Sequence, residues 1–437
     1  MKVRKLSADE KKHILTITGD SSIDTINKKK DYINNIIANW VYENGGSKSC
    51  WLALYTQYGK SYVNRLLFLQ YVNNNLFTPK VLAVYPEIRI FQDMEKFNPP
   101  FVKNLVINTA VTKWTEPVDV LCIDEIQLCL NPETQRYNIF DISYSQLIVN
   151  GAFLEADQQK ILESKGVTHC FELDEVDGLK LGLVPDFSCI NIAVELTLKE
   201  KSTYYSIETQ YKECIDFIYP IYEKKSQVMM FTLLKDKNLR ISTARQLQAL
   251  GTDISETQLM GKILKYLKLV RQRMELLKNA AGKYSLAIEI VNKHKGQKGI
   301  IFVNNLNAAE RMKNLLGNSS VVYSSKSGEK PLISFRNGEY NQMIVVGKAN
   351  VGYISAELEY SVNLSYEAKP IKARQRKGRI QSVDPNNANK MPINYFLYVP
   401  DFSIFGVDIM SQEKKWLATA QKGWLFIDYK TKEEILN

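Results

Sequence analysis

The first 198 residues alternate short apolar runs with polar stretches of helical character. Trp51-Leu-Ala-Leu-Tyr55 reads as a strand, a Gly-Lys-Ser turn follows it, and a helix is expected from about Tyr62 to Asn74. Further strands are expected at Val81–Tyr85, Asn104–Asn108, Val118–Ile123 and Gln146–Asn150. These runs are continuously apolar rather than alternating, as strands covered on both faces are, and helical stretches separate them; a parallel sheet follows. After residue 198 the pattern turns helical. Met260, Ile263, Leu264, Leu267, Val270, Met274 and Leu277 recur every three or four residues as one apolar stripe, with Lys262, Lys265, Lys268, Arg271 and Arg273 largely off it. Strand-like runs resume at Gly299–Val303, Gln342–Val346, Ser361–Leu364 and Tyr395–Val399. The expected organisation is an α/β unit over residues 1–198, a linker and helical segment over 199–290, and a second α/β unit over 291–437. Its last stretch, from Ser411, reads as a helix and a short amphipathic tail.

Composition narrows the class. Hydrophobic residues make up 45% and charged residues 24%, the balance of a soluble globular protein. No apolar run approaches the ~20 residues of a membrane span, and no apolar stretch follows the basic start Met1-Lys-Val-Arg-Lys5, so a cytoplasmic protein without a membrane partner is expected. The six cysteines form no Cys-x-x-Cys pair and only three histidines accompany them, which argues against zinc and fits thiols in a reducing compartment. The net charge of +10 is unevenly spread: residues 1–198 carry 20 Lys+Arg and 24 Asp+Glu, residues 199–437 carry 37 and 23. A basic half attracts polyanions by releasing their condensed counterions, although a solvated lysine-rich surface accounts for the charge equally well. High Lys, Asn and Tyr usage suits an AT-rich phage or its bacterial host.

Four signals carry chemistry. Leu54-Tyr-Thr-Gln-Tyr-Gly-Lys-Ser61 lies between a strand and a helix, where a phosphate loop supplies inward N–H groups, a lysine for the β/γ-phosphates and a hydroxyl for Mg²⁺; Leu54 replaces the first glycine of that pattern. Val120-Leu-Cys-Ile-Asp-Glu-Ile-Gln127 ends an apolar strand in two acids, at the sheet edge where ligands bind. There Asp124 can hold Mg²⁺ and Glu125 can polarise water. Gly299-Ile-Ile-Phe-Val-Asn-Asn305 followed by Ala308–Leu316 is a strand, turn and helix opening the second sheet. Arg374-Gln-Arg-Lys-Gly-Arg379 offers cations for a transferring phosphoryl group.

Together these residues resemble the superfamily 2 helicases, most nearly the branch of type III restriction motor subunits and phage recombination helicases, over about residues 30–400. Thr56-Gln-Tyr-Gly-Lys-Ser61 matches motif I, with Gln57 where the family prefers glycine. Val81-Leu-Ala-Val-Tyr-Pro86 looks like motif Ia, and Asp124-Glu-Ile-Gln127 is close to motif II. Leu147-Ile-Val-Asn-Gly-Ala-Phe153 occupies the place of motif III, with Asn150-Gly151-Ala152 for Thr-Ala-Thr, and Gly178–Pro185 resembles the segment closing the first lobe. Gly299–Asn305 is similar to motif IV, and Ile333–Gly338 to the helix end before motif V. Val346-Gly-Lys-Ala-Asn-Val-Gly352 looks like motif V without its acid, and Gln375-Arg-Lys-Gly-Arg379 like motif VI with Ser382 in place of its last arginine.

The resemblance implies two RecA-like lobes of the P-loop NTPase type, with ATP and Mg²⁺ as cofactors. Thr56, Gln57, Tyr58, Gly59, Lys60 and Ser61 would bind ATP, and Ser61 and Asp124 would hold Mg²⁺. Glu125, Gln127, Gln375, Arg376 and Arg379 would be catalytic, the arginines reaching ATP from the second lobe. Pro86, Arg89, Asn150, Lys348 and Gly352 would face nucleic acid. The implied function is an ATP-dependent helicase or translocase, on DNA by preference, single-stranded or branched. Two other readings stand beside it: a helicase-like binding protein without turnover, and a motor serving a separate nuclease or other replication and recombination proteins.

Overall fold

The computed structural model describes the chain except residues 44–47, 56–57, 76, 87, 348–356, 366–369, 383, 385–386, 388–389, 423, 425–426 and 437. It forms two compact units, the first built mainly from Met1–Phe187 and Arg374–Pro392, the second from Ser188–Ala349, Tyr360–Ala373 and Ile393–Asn437.

The first unit holds a seven-stranded parallel sheet of β1 (Lys2–Arg4), β2 (Cys50–Leu54), β3 (Val81–Tyr85), β4 (Val102–Val106), β5 (Val118–Ile123), β6 (Tyr144–Asn150) and β7 (His169–Leu173). Their order is β1-β7-β2-β6-β5-β3-β4. Its continuous apolar runs are explained by two separate cores. Cys50, Leu52, Leu54, Val81, Ala83 and Tyr85 point to one, while Trp51, Ala53, Leu82 and Val84 point to the other. Period-two alternation sends successive side chains to opposite faces, so a sheet covered on both sides needs every position apolar. Each such burial stabilises by roughly 1.5–3 kcal/mol for a large aliphatic side chain. The run expected at Asn104–Asn108 sits two residues earlier, because a helix, Ile107–Lys113, already begins where the strand was expected to end.

The second unit's sheet comprises β8 (Ser188–Ala193), β9 (Lys298–Val303), β10 (Ser320–Tyr323), β11 (Gln342–Val346), β12 (Leu358–Asn363), β13 (Ile393–Tyr398) and, after a hairpin of β14 (Phe402–Ile404) and β15 (Val407–Ile409), β16 (Ile427–Lys430). Its order is β10-β11-β9-β12-β13-β8-β16. β8 therefore belongs to the second sheet, and the tail supplies β16 beside it. Between β8 and β9 lies a helical segment whose helices Leu198–Asp216, Ser226–Lys235, Lys237–Ala249 and Glu256–Lys278 share a core of their own.

The stripe expected on the last of these helices is rotated. Leu259, Ile263, Tyr266, Leu269, Arg273 and Leu277 are buried, whereas Leu264 is 51% exposed. Arg273 joins the buried face: its guanidinium lies 4.3 Å from the Tyr211 ring and forms an ion pair with Glu208 at 3.0 Å. No helix among the described residues is long and apolar enough to cross a membrane, and all six cysteines are free thiols in buried positions.

Candidate functional site

β2 delivers the chain to Tyr55, and a helix, Lys60–Asn75, leaves the far side of the loop. Gly59 has φ +99°, a left-handed conformation that side chains with a Cβ resist, and its carbonyl accepts the Tyr62 N–H at 3.0 Å. Lys60 thus stands at the first turn of a helix that starts at the carboxyl edge of a parallel sheet, where backbone N–H groups and the helix dipole favour anions. Across β6 from β2, β5 stops at Ile123 and is followed directly by Asp124 and Glu125. Glu125 has φ +51°, a non-glycine in the left-handed region, and such strain, about 1–3 kcal/mol, persists where the surroundings fix it.

That conformation brings the second signal onto the first. Lys60 Nζ lies 3.2 Å from Glu125 Oε1, and Gln127 Nε2 donates to Glu125 Oε2. Lys60 and Glu125 retain 12% and 25% side-chain exposure, so the pair is reachable from solvent. Beside them Asp124 is buried, and its Oδ1 has no hydrogen-bond partner among the described residues. Burial pushes the Asp124 carboxyl up to about 6, the Glu125 charge adds to the rise, and Lys60 opposes it. Burial alone would raise Glu125 too, but Lys60, the Gln127 bond and Arg379 bring it below the usual carboxylate range. Burial works against the Lys60 charge, and Glu125 and Asp124 more than offset this, holding its ammonium above the usual lysine value while Arg379 pulls the other way. A lysine, two carboxylates shifted in opposite directions and the charge of an arginine therefore meet at one sheet edge.

Arg376 and Arg379 are buried, and their segment, Arg374–Pro392, is part of the first unit. Gln375 is half-buried on the helix Pro370–Gly378. Gln127 also faces the segment after β6: a Cβ added to Gly151 would lie 3.0 Å from Gln127 Oε1, and the Gly151 carbonyl accepts the Trp51 indole N–H at 2.8 Å. A side chain at this position would require Gln127 and Ile126 to give way slightly.

Two of the expected site residues have buried side chains. Asn150 has no exposed area; its amide donates to Asn64 Oδ1 at 3.0 Å and ties the end of β6 to the helix after the loop. The Tyr58 ring is likewise buried, its hydroxyl donating to Asn34 Oδ1 at 2.7 Å, which leaves the loop no Tyr58 side chain for ATP. Pro86 is half-buried just past β3. Thr56, Gln57, Lys348 and Gly352 lie outside the described residues, as do the side chains of Ser61 and Arg89. Sequence reasoning missed Glu175, which binds Lys377 and accepts from Gln381 Nε2 at 2.5 Å. Its signal would have been an acid opening a short helix late in the first unit, a pattern that many proteins share.

The residues that could hold a magnesium nucleotide fit that group chemically: an unpartnered buried Asp124 oxygen, a lysine beside it and a left-handed glycine before a helix. Among the described residues no group of three or more His, Cys, Asp or Glu could by itself hold a metal.

Two seven-stranded parallel α/β units in one chain match the tandem RecA-like lobes seen in helicase structures. Among solved structures, Dbp5 of S. cerevisiae bound to RNA and ADP BeF3 is similar over 97% of this chain and 98% of its own, with a TM-score of 0.56 and 11% identity. A Dbp5 variant bound to Gle1 and IP6 aligns over 92% of both chains with a TM-score of 0.51 and 11% identity. The helicase domain of Pyrococcus furiosus Hef aligns over 90% of this chain with a TM-score of 0.49 and 14% identity. In sequence, no protein-family model and no curated protein matches the chain.

Proposed function

We propose that the protein is an ATP-dependent helicase or translocase that hydrolyses ATP at the carboxyl edge of the first sheet to move along or remodel nucleic-acid strands. The observation that carries this reading is the meeting of Lys60, Glu125 and Asp124 under the Arg379 charge. Lys60 would neutralise the β/γ-phosphates, Ser61 and the unpartnered Asp124 oxygen would hold Mg²⁺, and the ionised Glu125 would orient the attacking water. For Glu125 to do so, Lys60 must leave it for the phosphates; the pair is a resting arrangement that nucleotide exchanges. Arg379, already felt at both side chains, stabilises charge on the transferring group. The Mg²⁺ supplies Lewis-acid chemistry when bound.

Nucleic acid as the partner is supported by the +14 excess of residues 199–437 and by the RNA bound to Dbp5. A single-stranded DNA track, a branched substrate and a partner nuclease stay within this proposal. The test is ATP turnover of the full chain against single-stranded, duplex and branched DNA and RNA, with Glu125→Gln alongside. Stimulation by one nucleic acid, lost in Glu125→Gln while ATP remains bound, is the expected result. Equal turnover in both proteins would remove Glu125 from the mechanism. A binding protein without turnover is the second reading, favoured by the engagement of both Glu125 oxygens. It requires nucleic-acid binding with no ATP consumed.

A further inference from the structure

Glu175 opens the helix Glu175–Lys180, and Asp174 caps that helix by accepting the Asp177 N–H at 2.8 Å. Its two carboxylate oxygens have separate partners on one segment: Oε2 pairs with Lys377 Nζ, and Oε1 accepts from Gln381 Nε2 at 2.5 Å. Lys377 stands two residues before Arg379 and Gln381 two residues after it, so one carboxylate grips the chain on both sides of that arginine. The grip is mostly dry, with 4% of the Lys377 side chain exposed and its ammonium 5.2 Å from the Phe187 ring. One turn earlier the Arg374 guanidinium lies 4.4 Å over the Phe153 ring.

The same helix is also fixed against the start of the phosphate loop. Gly178 sits so close to the Tyr55 ring that an added Cβ would lie 2.9 Å from it. Tyr55 ends the approach from β2, and its buried hydroxyl has no hydrogen-bond partner among the described residues. One path of contacts thus runs from Tyr55 through the helix of Glu175 to the residues flanking Arg379, whose charge reaches Lys60 and Glu125.

We propose, resting on the nucleotide-site reading above, that Glu175 is a positioning residue that sets Arg379 against the Lys60–Glu125 pair. Glu175 touches neither nucleotide nor water. It acts by fixing the segment that carries the arginine, and misplacement by about 1 Å costs on the order of 10²-fold in rate.

The experiment compares full-length wild type, Glu175→Ala, Glu175→Gln and the charge swap Glu175→Lys with Lys377→Glu. Amide hydrogen exchange over residues 374–381 and steady-state ATP turnover are both measured. Glu175→Ala is expected to speed exchange over 374–381 while leaving the helix Lys60–Asn75 protected. It should lower kcat by about 10-fold to 10²-fold, with KM for ATP within about twofold. Glu175→Gln keeps an acceptor for Gln381 and should lose less, and the swap should recover part of kcat. Unchanged kcat in a wild type that does hydrolyse ATP overturns the proposal, whether exchange rises or not. So does a loss that falls on KM alone. Should Glu175→Ala fail to fold, Glu175→Gln against the swap decides the same question. A wild type without turnover overturns the nucleotide-site reading instead, a result distinct from both.

Discussion

Each unit holds a lysine–carboxylate pair at the carboxyl end of its parallel sheet, and the two pairs have opposite characters. In the second unit Lys283 and Glu413 are wholly buried, their atoms 2.6 Å apart. Lys283 also donates to the Leu364 carbonyl, just past β12, at 3.0 Å, and Glu413 accepts the Val399 N–H, just past β13, at 3.0 Å. Burial pushes the Lys283 ammonium down and the Glu413 carboxyl up, but the bonds around them are complete. In the first unit Lys60 and Glu125 keep a solvent-reachable side, the backbone of Glu125 is left-handed, and neighbouring Asp124 has an oxygen without a partner. A closed, satisfied pair can only hold the fold together. An open pair with a strained residue and a spare oxygen can exchange its partner for a ligand. Residue type and sheet position are shared, so satisfaction and access distinguish structure from chemistry.

Five substitutions sharpen or break this contrast, the strongest first. Lys60→Ala and Arg379→Ala should each cut ATP turnover by about 10³-fold or more, the scale of an arginine finger. Arg379→Ala should leave ATP binding largely intact, and titration with a fluorescent ATP analogue checks this. Normal turnover in Lys60→Ala would make the first pair as structural as the second.

Glu413→Ala should destabilise by about 3–5 kcal/mol, because it strands a buried ammonium, and should leave nucleotide affinity of the remaining folded protein unchanged. Urea unfolding measures the first effect. A loss below about 1 kcal/mol would show that the second pair is not closed as described.

Asp124→Asn addresses the spare oxygen through pH. Folding raises this carboxyl from 3.8 to about 6, so the folded chain holds a proton that the unfolded chain has released. The Asp124 contribution therefore falls as pH rises from about 4 to about 6 and stays low above that. Asp124→Asn should stabilise the apo protein above pH 6, with the gap closing toward pH 4, in unfolding curves taken across that range. A gap independent of pH would mean that Asp124 is not pushed up by burial.

Gly59→Ala is the mildest, costing about 1–2 kcal/mol for a side chain forced into a left-handed backbone. No atom lies within 4 Å of the added Cβ, so strain alone is tested. Thermal unfolding without nucleotide should register it.

The strands of the first sheet were legible because burial on both faces leaves uninterrupted apolar runs, as in Cys50–Leu54 and Val81–Tyr85. β8 was not read as part of the second sheet, because an apolar run does not say which sheet it joins. β16 escaped altogether: Ile427–Lys430 is an edge strand with no buried position, so it carries no hydrophobic signature. Lys60, Asp124 and Glu125 were readable from residue type at a strand end. The burial of Asn150 was not legible because an exposed amide and a buried amide bonded to Asn64 look identical in sequence. Glu175 was invisible because its partners lie 202 and 206 residues away.

The six cysteines turn the same architecture into a built-in reporter. Cys50, Cys122, Cys129 and Cys170 line the cores of the first unit, Cys189 lies on β8, and Cys214 sits in the core of the helical segment. Burial pushes the Cys129 and Cys170 thiols up to about 12, and Cys50, Cys122 and Cys214 are raised as well. Folded chains should therefore be nearly inert to alkylating reagents at neutral pH. Any modification then records an opening event, and its position in a peptide map names the part of the chain that opened. Pulsed alkylation in rising denaturant would show, without an added label or an engineered residue, whether the two units and the helical segment come apart together or in turn.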